Sequence, residues 1–186
     1  MVLKPAAFAL LSLPVLRLAW LGLHARLSAN PVEFVEHRTG DWALNLLVLG
    51  LCMTPLARWT KRSEPIKLRR MIGLFAFFYA SIHFLTWLSL DNEFSWPDLL
   101  DDLKRRRFIL VGFSALVLLV PLAITSTDGW IKRLGRNWGR LHKLVYPATI
   151  LACVHYYWLV KADHAWPLRY AAAVGALLAV RALGLI

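Results

Sequence analysis

The sequence predicts an all-α integral membrane protein, a six-transmembrane-helix bundle with both termini in the cytoplasm, built as one domain over residues 1–186. Three observations carry this expectation. Of the 186 residues, 59% are hydrophobic and nine are Trp, well above the apolar share of an ordinary soluble domain. Charged residues gather between long uncharged runs instead of spreading through the chain. Six of those runs approach the roughly 20 apolar residues that a helix needs to cross a hydrocarbon core of about 30 Å with its backbone satisfied internally. The net charge of +11 therefore falls mainly in loops, where Lys and Arg fix orientation and meet anionic lipid. Membrane lipid is the expected partner, and no nucleic acid is expected, since the basic residues form no continuous stripe.

The first span is expected over residues 5–23. A cleaved signal peptide is disfavoured there, because Arg17 interrupts the apolar stretch and no clean small-x-small site follows it. The second is expected over 42–57 and the third over 71–90, the latter twenty residues without Asp, Glu, Lys or Arg. Residues 96–103, W-P-D-L-L-D-D-L, place Leu99, Leu100 and Leu103 at the spacing of a short helix lying on the outer surface. The fourth span, 108–127, is again free of those charges; the fifth, 144–160, and sixth, 166–185, complete the set, the last carrying Arg169 and Arg181. Trp20, Trp42, Trp59, Trp87, Trp158 and Trp166 fall near span ends, where an amphipathic ring prefers the interface. The loops after spans two and four hold eleven basic residues against Glu64 and Asp128, whereas the other three loops hold nine of the eleven acidic residues. That bias favours cytoplasmic termini. No internal repeat or long linker is evident, and Cys52 and Cys153 read as small apolar fillers.

Ionisable residues within a bilayer are costly and are functional candidates by default. His83 lies 13 residues after Arg70 and His155 lies 12 after Lys143, which puts both roughly 18 to 20 Å from one boundary. Spans three and five run in the same direction, so the two imidazoles can meet at one depth in the outer half of the membrane. That is the arrangement of one haem gripped by two helices, with no axial position left open and electron transfer favoured over oxygen chemistry. The ordinary alternative is a pair of interhelical hydrogen bonds. His142 stands 13 residues before His155, about 19.5 Å along a continuous helix, so it cannot serve the same iron. It is a candidate for a second redox group near the cytoplasmic edge. His24, His37 and His164 fall in opposite loops and read as solvated or interfacial.

The stretch 128–143 mixes basic and aromatic residues with glycines, suited to haem propionates, a flavin phosphate or acidic headgroups. Arg17, well inside the first span, needs an anionic partner or a route to water, and a propionate is one such partner. No loop approaches the size of a nucleotide-binding domain, and no G-x-G-x-x-G, H-E-x-x-H or nucleophile-base set is present. Electrons must then come from another protein, a membrane quinol or a flavin in a small pocket, with substrate chemistry on a partner.

Three stretches carry a resemblance: L-R-R-M-I-G-L-F-A-F-F-Y-A-S-I-H-F-L at 68–85, P-L-A-I-T-S-T-D-G-W at 121–130 and L-G-R-N-W-G-R-L-H-K-L-V-Y at 134–146. His155 in C-V-H-Y-Y-W completes them. Over nearly its whole length the chain resembles the ferric reductase-like transmembrane family, and within it the haem-binding membrane subunits of bacterial methionine sulfoxide reductase systems. The resemblance implies a multi-pass protein of the bacterial inner membrane that binds heme b, one or two per chain, and FMN. It implies electrons drawn from the quinone pool, as quinol or through a cytoplasmic flavin donor. They would pass to a periplasmic molybdopterin reductase of the MsrP type that repairs oxidised envelope proteins. By motif, His83, His142 and His155 match the family's haem-ligand candidates, while no motif assigns FMN. Another ferric reductase-like or cytochrome b561-like carrier, and a haem-free proton conductor or transporter, are the alternatives.

Overall fold

The computed structural model describes residues 3–184, and among them every regular element is helical. Helix α1 (Leu3–Leu23) leads through a short loop to α2 (Pro31–Thr60). Asn30 starts α2 by accepting from the Glu33 backbone N–H at 3.3 Å, with Pro31 preorganised just inside. This strong cap starts the helix well before the expected 42–57. Hydropathy marked only the part of α2 that is apolar, and the charged turn before it continues the same helix. Lys61, left-handed at φ 55°, closes α2 and turns the chain into α3 (Glu64–Thr86). A π-helical turn, Trp87–Asp91, extends α3, and Glu93 and Phe94, both at positive φ, end it.

The surface helix expected near 96–103 is α4 (Trp96–Arg105), which buries Leu99 and ties itself to the α3 extension through the Trp87 indole N–H donating to Asp102 at 3.2 Å. There follow α5 (Arg107–Ile124), the short α6 (Asp128–Leu134) and α7 (Arg136–Leu141), a 3-10 turn (His142–Leu144), α8 (Val145–Leu159) and α9 (Ala165–Ala182). The end expected at Leu185 lies outside the described residues.

The six expected spans thus correspond to six long helices in the expected order. Four are long and apolar enough to cross a membrane: α1, α2, α3 with its π-turn extension, and α5. Helix α8 has 15 residues, about 22 Å of rise against a core of about 30 Å. Helix α9 is diluted by Arg169 and Arg181.

Two antiparallel pairs build the bundle: α2 with α3, and α5 with α8, joined where α3 meets α5 and α2 meets α8. The main core cluster includes Leu46, Ile72, Ala76, Tyr79, Leu119 and Ala148; a second joins Leu44, Leu51 and Cys153 to Val174 of α9. Small residues such as Ala76 and Ala148, both with no exposed surface, let backbones approach where dispersion and polar contacts, not hydrophobicity, must hold helices together. Helix α1 contributes no fully buried residue and lies on the outside of this four-helix frame.

Candidate functional site

His83 on α3 and His155 on α8 face each other, with ring centres 6.0 Å apart and ring planes crossing at 79°. Each ring is held from behind in the same manner. His83 Nδ1 lies 2.9 Å from the carbonyl oxygen of Glu36 on α2, and His155 Nδ1 lies 2.7 Å from that of Phe108 on α5. A carbonyl only accepts, so each neutral imidazole carries its proton on Nδ1 and keeps a lone pair on Nε2. Both pairs join residues 47 apart in sequence.

Glycines complete the match. Gly40, one turn after Glu36, sits where a Cβ would lie 3.2 Å from His83 Nδ1; Gly112, one turn after Phe108, sits where a Cβ would lie 2.6 Å from His155 Nδ1. The α2–α3 and α5–α8 pairs are therefore two copies of one arrangement, each presenting a histidine to the centre. This match in space accompanies a sequence with no obvious internal repeat. The signal in the sequence is slight: one glycine-to-histidine separation occurring twice, in copies that otherwise share few residues.

The pair fits a six-coordinate haem iron. Two metal–nitrogen bonds of about 2 Å, with about 1 Å from each nitrogen to its ring centre, call for ring centres about 6 Å apart. The Nδ1–H to carbonyl bonds are the support that fixes tautomer and ring orientation in metal-ligating histidines. Phe108, with its ring centre 5.8 Å from that of His155, and the Phe84–Phe113 pair between α3 and α5 make the surroundings apolar.

His142 stands apart from this pair. Its ring stacks on Trp138 at 3.9 Å, and its Nε2 lies 3.1 Å from the Thr125 hydroxyl. That hydroxyl donates to the Pro121 carbonyl at 2.6 Å, so Nε2 of His142 must be the donor and Nδ1 the free acceptor. The Trp138 indole N–H closes the knot by donating to the Thr125 carbonyl at 2.9 Å. Burial, and then the Arg69 guanidinium, hold this imidazole below the usual histidine range. Arg17 lies on an exposed face of α1 and makes no hydrogen bond or ion pair with a described side chain. Of the four candidates, the structure brings together His83 and His155 alone.

Residues 39–153 match the model of the ferric reductase like transmembrane component, a stretch that contains His83, both glycines and His142 and ends two residues before His155. The chain belongs to this ferric reductase-like family. Among its relatives, the protein-methionine-sulfoxide reductase heme-binding subunit MsrQ of Xanthomonas euvesicatoria pv. vesicatoria is 49% identical over 162 residues, covering 87% of this chain and 74% of the relative. The protein of the same name from Xanthomonas campestris pv. campestris is 52% identical over 155 residues, 83% of this chain and 71% of the relative. That of Herminiimonas arsenicoxydans is 47% identical over 183 residues, 97% and 84% respectively. No solved structure matches.

Proposed function

We propose that this protein is the membrane haem-binding, electron-transfer subunit of a protein-methionine-sulfoxide reductase system. The observation that carries the reading is the His83–His155 pair, its ring centres 6.0 Å apart and both Nε2 atoms left free by Nδ1 bonds to opposed carbonyls. A b-type haem held there would supply reversible one-electron chemistry at the iron. The chain's own residues hold and orient: Glu36 and Phe108 set the tautomers through their carbonyls, Gly40 and Gly112 admit the rings, and Phe84, Phe108 and Phe113 keep water away. Substrate chemistry belongs to the partner, since no set of nucleophile, base and orienting acid accompanies the histidines.

The finer reading follows from the family and from charge. The Lys and Arg bias supports six spans with both termini in the cytoplasm of the bacterial inner membrane. In that orientation the histidine pair lies toward the periplasm, where a molybdopterin reductase of the MsrP type would take the electrons for repair of oxidised envelope proteins. Quinol, or a cytoplasmic flavin donor with FMN, would supply them. His142, at the opposite end of α8, is the candidate for a second haem or flavin contact, and Arg17 for an anion at the lipid boundary.

Oxidised and dithionite-reduced visible spectra of the purified protein, with haem quantified per chain, test this. A low-spin b-type spectrum that His83→Ala and His155→Ala each abolish, with the protein still inserted, is the expected result. Unchanged spectra in both variants would overturn it.

A further inference from the structure

The two-fold arrangement offers a haem between His83 and His155 two flanks for its charged edge, and the flanks differ in sign. Beside α2, a polar cleft of about 410 Å³ is lined in part by Glu33, His37, Arg38 and Asp41. Beside α5, a larger cleft of about 780 Å³ is lined by three consecutive arginines, Arg105 to Arg107, with Lys161, Phe108 and Trp158. The arginine run occupies the place on α5 that the Glu33 turn holds on α2.

This second cleft is continuous with the ligand. Phe108, whose carbonyl fixes His155, is one of its walls, and Arg107 is the residue before it. Trp158 and Leu159, three and four residues after His155 on α8, bring the cleft onto the same helix face one turn further out. Arg105 and Arg106 are engaged by Asp101 at 2.7 Å and Asp102 at 3.0 Å. Arg107 and Lys161 make no ion pair with a described residue. A guanidinium and an ammonium beside an apolar site, without acidic partners, suit two carboxylates delivered by a ligand.

We propose that the propionate edge of the haem faces the α5–α8 flank, where Arg107 and Lys161 bind its carboxylates. On the α2 flank Glu33 and Asp41 outweigh Arg38, so charge selects one of two orientations that the near-symmetric histidines would otherwise accept. The proposal rests on the haem reading above.

The test is competitive loading of the detergent-purified apoprotein with haem b and with its dimethyl ester, in which both carboxylates are blocked, read by the low-spin absorption and by extraction. The unaltered protein should prefer the free acid by about tenfold or more, since hydrogen bonds between charged partners are the stronger ones. Arg107→Gln with Lys161→Gln should bring the two affinities together, each single change should give an intermediate preference, and Arg107→Lys should retain most of it. Arg38→Gln, on the other flank, should leave the preference unchanged. Equal binding of acid and ester by the unaltered protein, or an undiminished preference in the double variant, would overturn the proposal. An undiminished preference together with lost partner reduction would mark the cleft as a docking surface instead. If the unaltered protein takes up neither form, the haem reading itself fails.

Discussion

At Gly112 one methyl group decides whether His155 can stand where it does. An added Cβ would lie 2.6 Å from the imidazole Nδ1, closer than atoms can pack, and would displace the ring from its bond to the Phe108 carbonyl. At Gly40 the corresponding distance is 3.2 Å, tight but relievable by a small shift. Gly112→Ala is therefore expected to lower haem retention by about tenfold or more, the usual cost of removing support from a metal-ligating histidine, and Gly40→Ala by clearly less. Haem absorption per chain after purification measures both, and equal losses would contradict the asymmetry. Tyr79 acts differently. Its hydroxyl, fully buried, accepts from the Val15 N–H at 3.2 Å and donates to the Leu11 carbonyl at 2.7 Å, entering the backbone ladder of α1 just after Pro14. It is the main polar anchor of a helix that buries nothing completely. In Tyr79→Phe the two α1 groups can pair with each other again, so a loss of only about 1 kcal/mol is expected in thermal unfolding in detergent.

Among the helices, α9 shows how an apolar segment carries an arginine. Pro55 inside α2 has no N–H, so the Leu51 carbonyl four residues earlier has no helical donor. Arg181 donates to that carbonyl and to Leu177, and its guanidinium lies 5.6 Å from the centre of the Tyr146 ring. The sequence showed Arg181 as a blemish in the sixth span; the structure pairs it with a proline 126 positions away in the chain. Arg181→Met is expected to destabilise the protein by about 1–3 kcal/mol, the cost of an unpaired buried carbonyl. In a Pro55→Ala background, which restores the helical donor, the loss should shrink, and a double-mutant cycle measures the difference. Helix boundaries followed the same logic. The extents of α5 and α8 are legible to within a few residues because each apolar run is bounded by charge, Arg107 and Asp128 for one and Lys143 and Lys161 for the other. The beginning of α2 was not, because its cap precedes a polar turn that hydropathy assigned to a loop.

For the whole molecule, the basic end is tied across the two helix pairs by the ion pair between Arg70, at the start of α3, and Asp128, in the first turn of α6. The hydrogen bond from Arg70, and then its charge, hold the Asp128 carboxyl below the ordinary carboxylate value. A carboxylate with a lowered folded-state pKa supports the fold above its unfolded value and loses that support as pH falls through the folded one. Docking of the α6–α7 segment should therefore be constant at neutral pH and weaken only in acid below about pH 4. In Arg70→Gln this pH dependence should vanish; protease sensitivity of residues 125–144 against pH reads it. Readable from the chain alone was what is local: membrane character, the order of six long helices, the surface helix at α4, and two histidines placed so that they could meet. Each depends on short runs of residues, because a helix in lipid must satisfy its own backbone. The 6.0 Å ring separation, the Nδ1 bonds to Glu36 and Phe108, the close glycines and the opposite signs of the two flanks emerge in the folded bundle alone. Those depend on the rotation and spacing of helices distant in the chain, which packing fixes and no local pattern encodes.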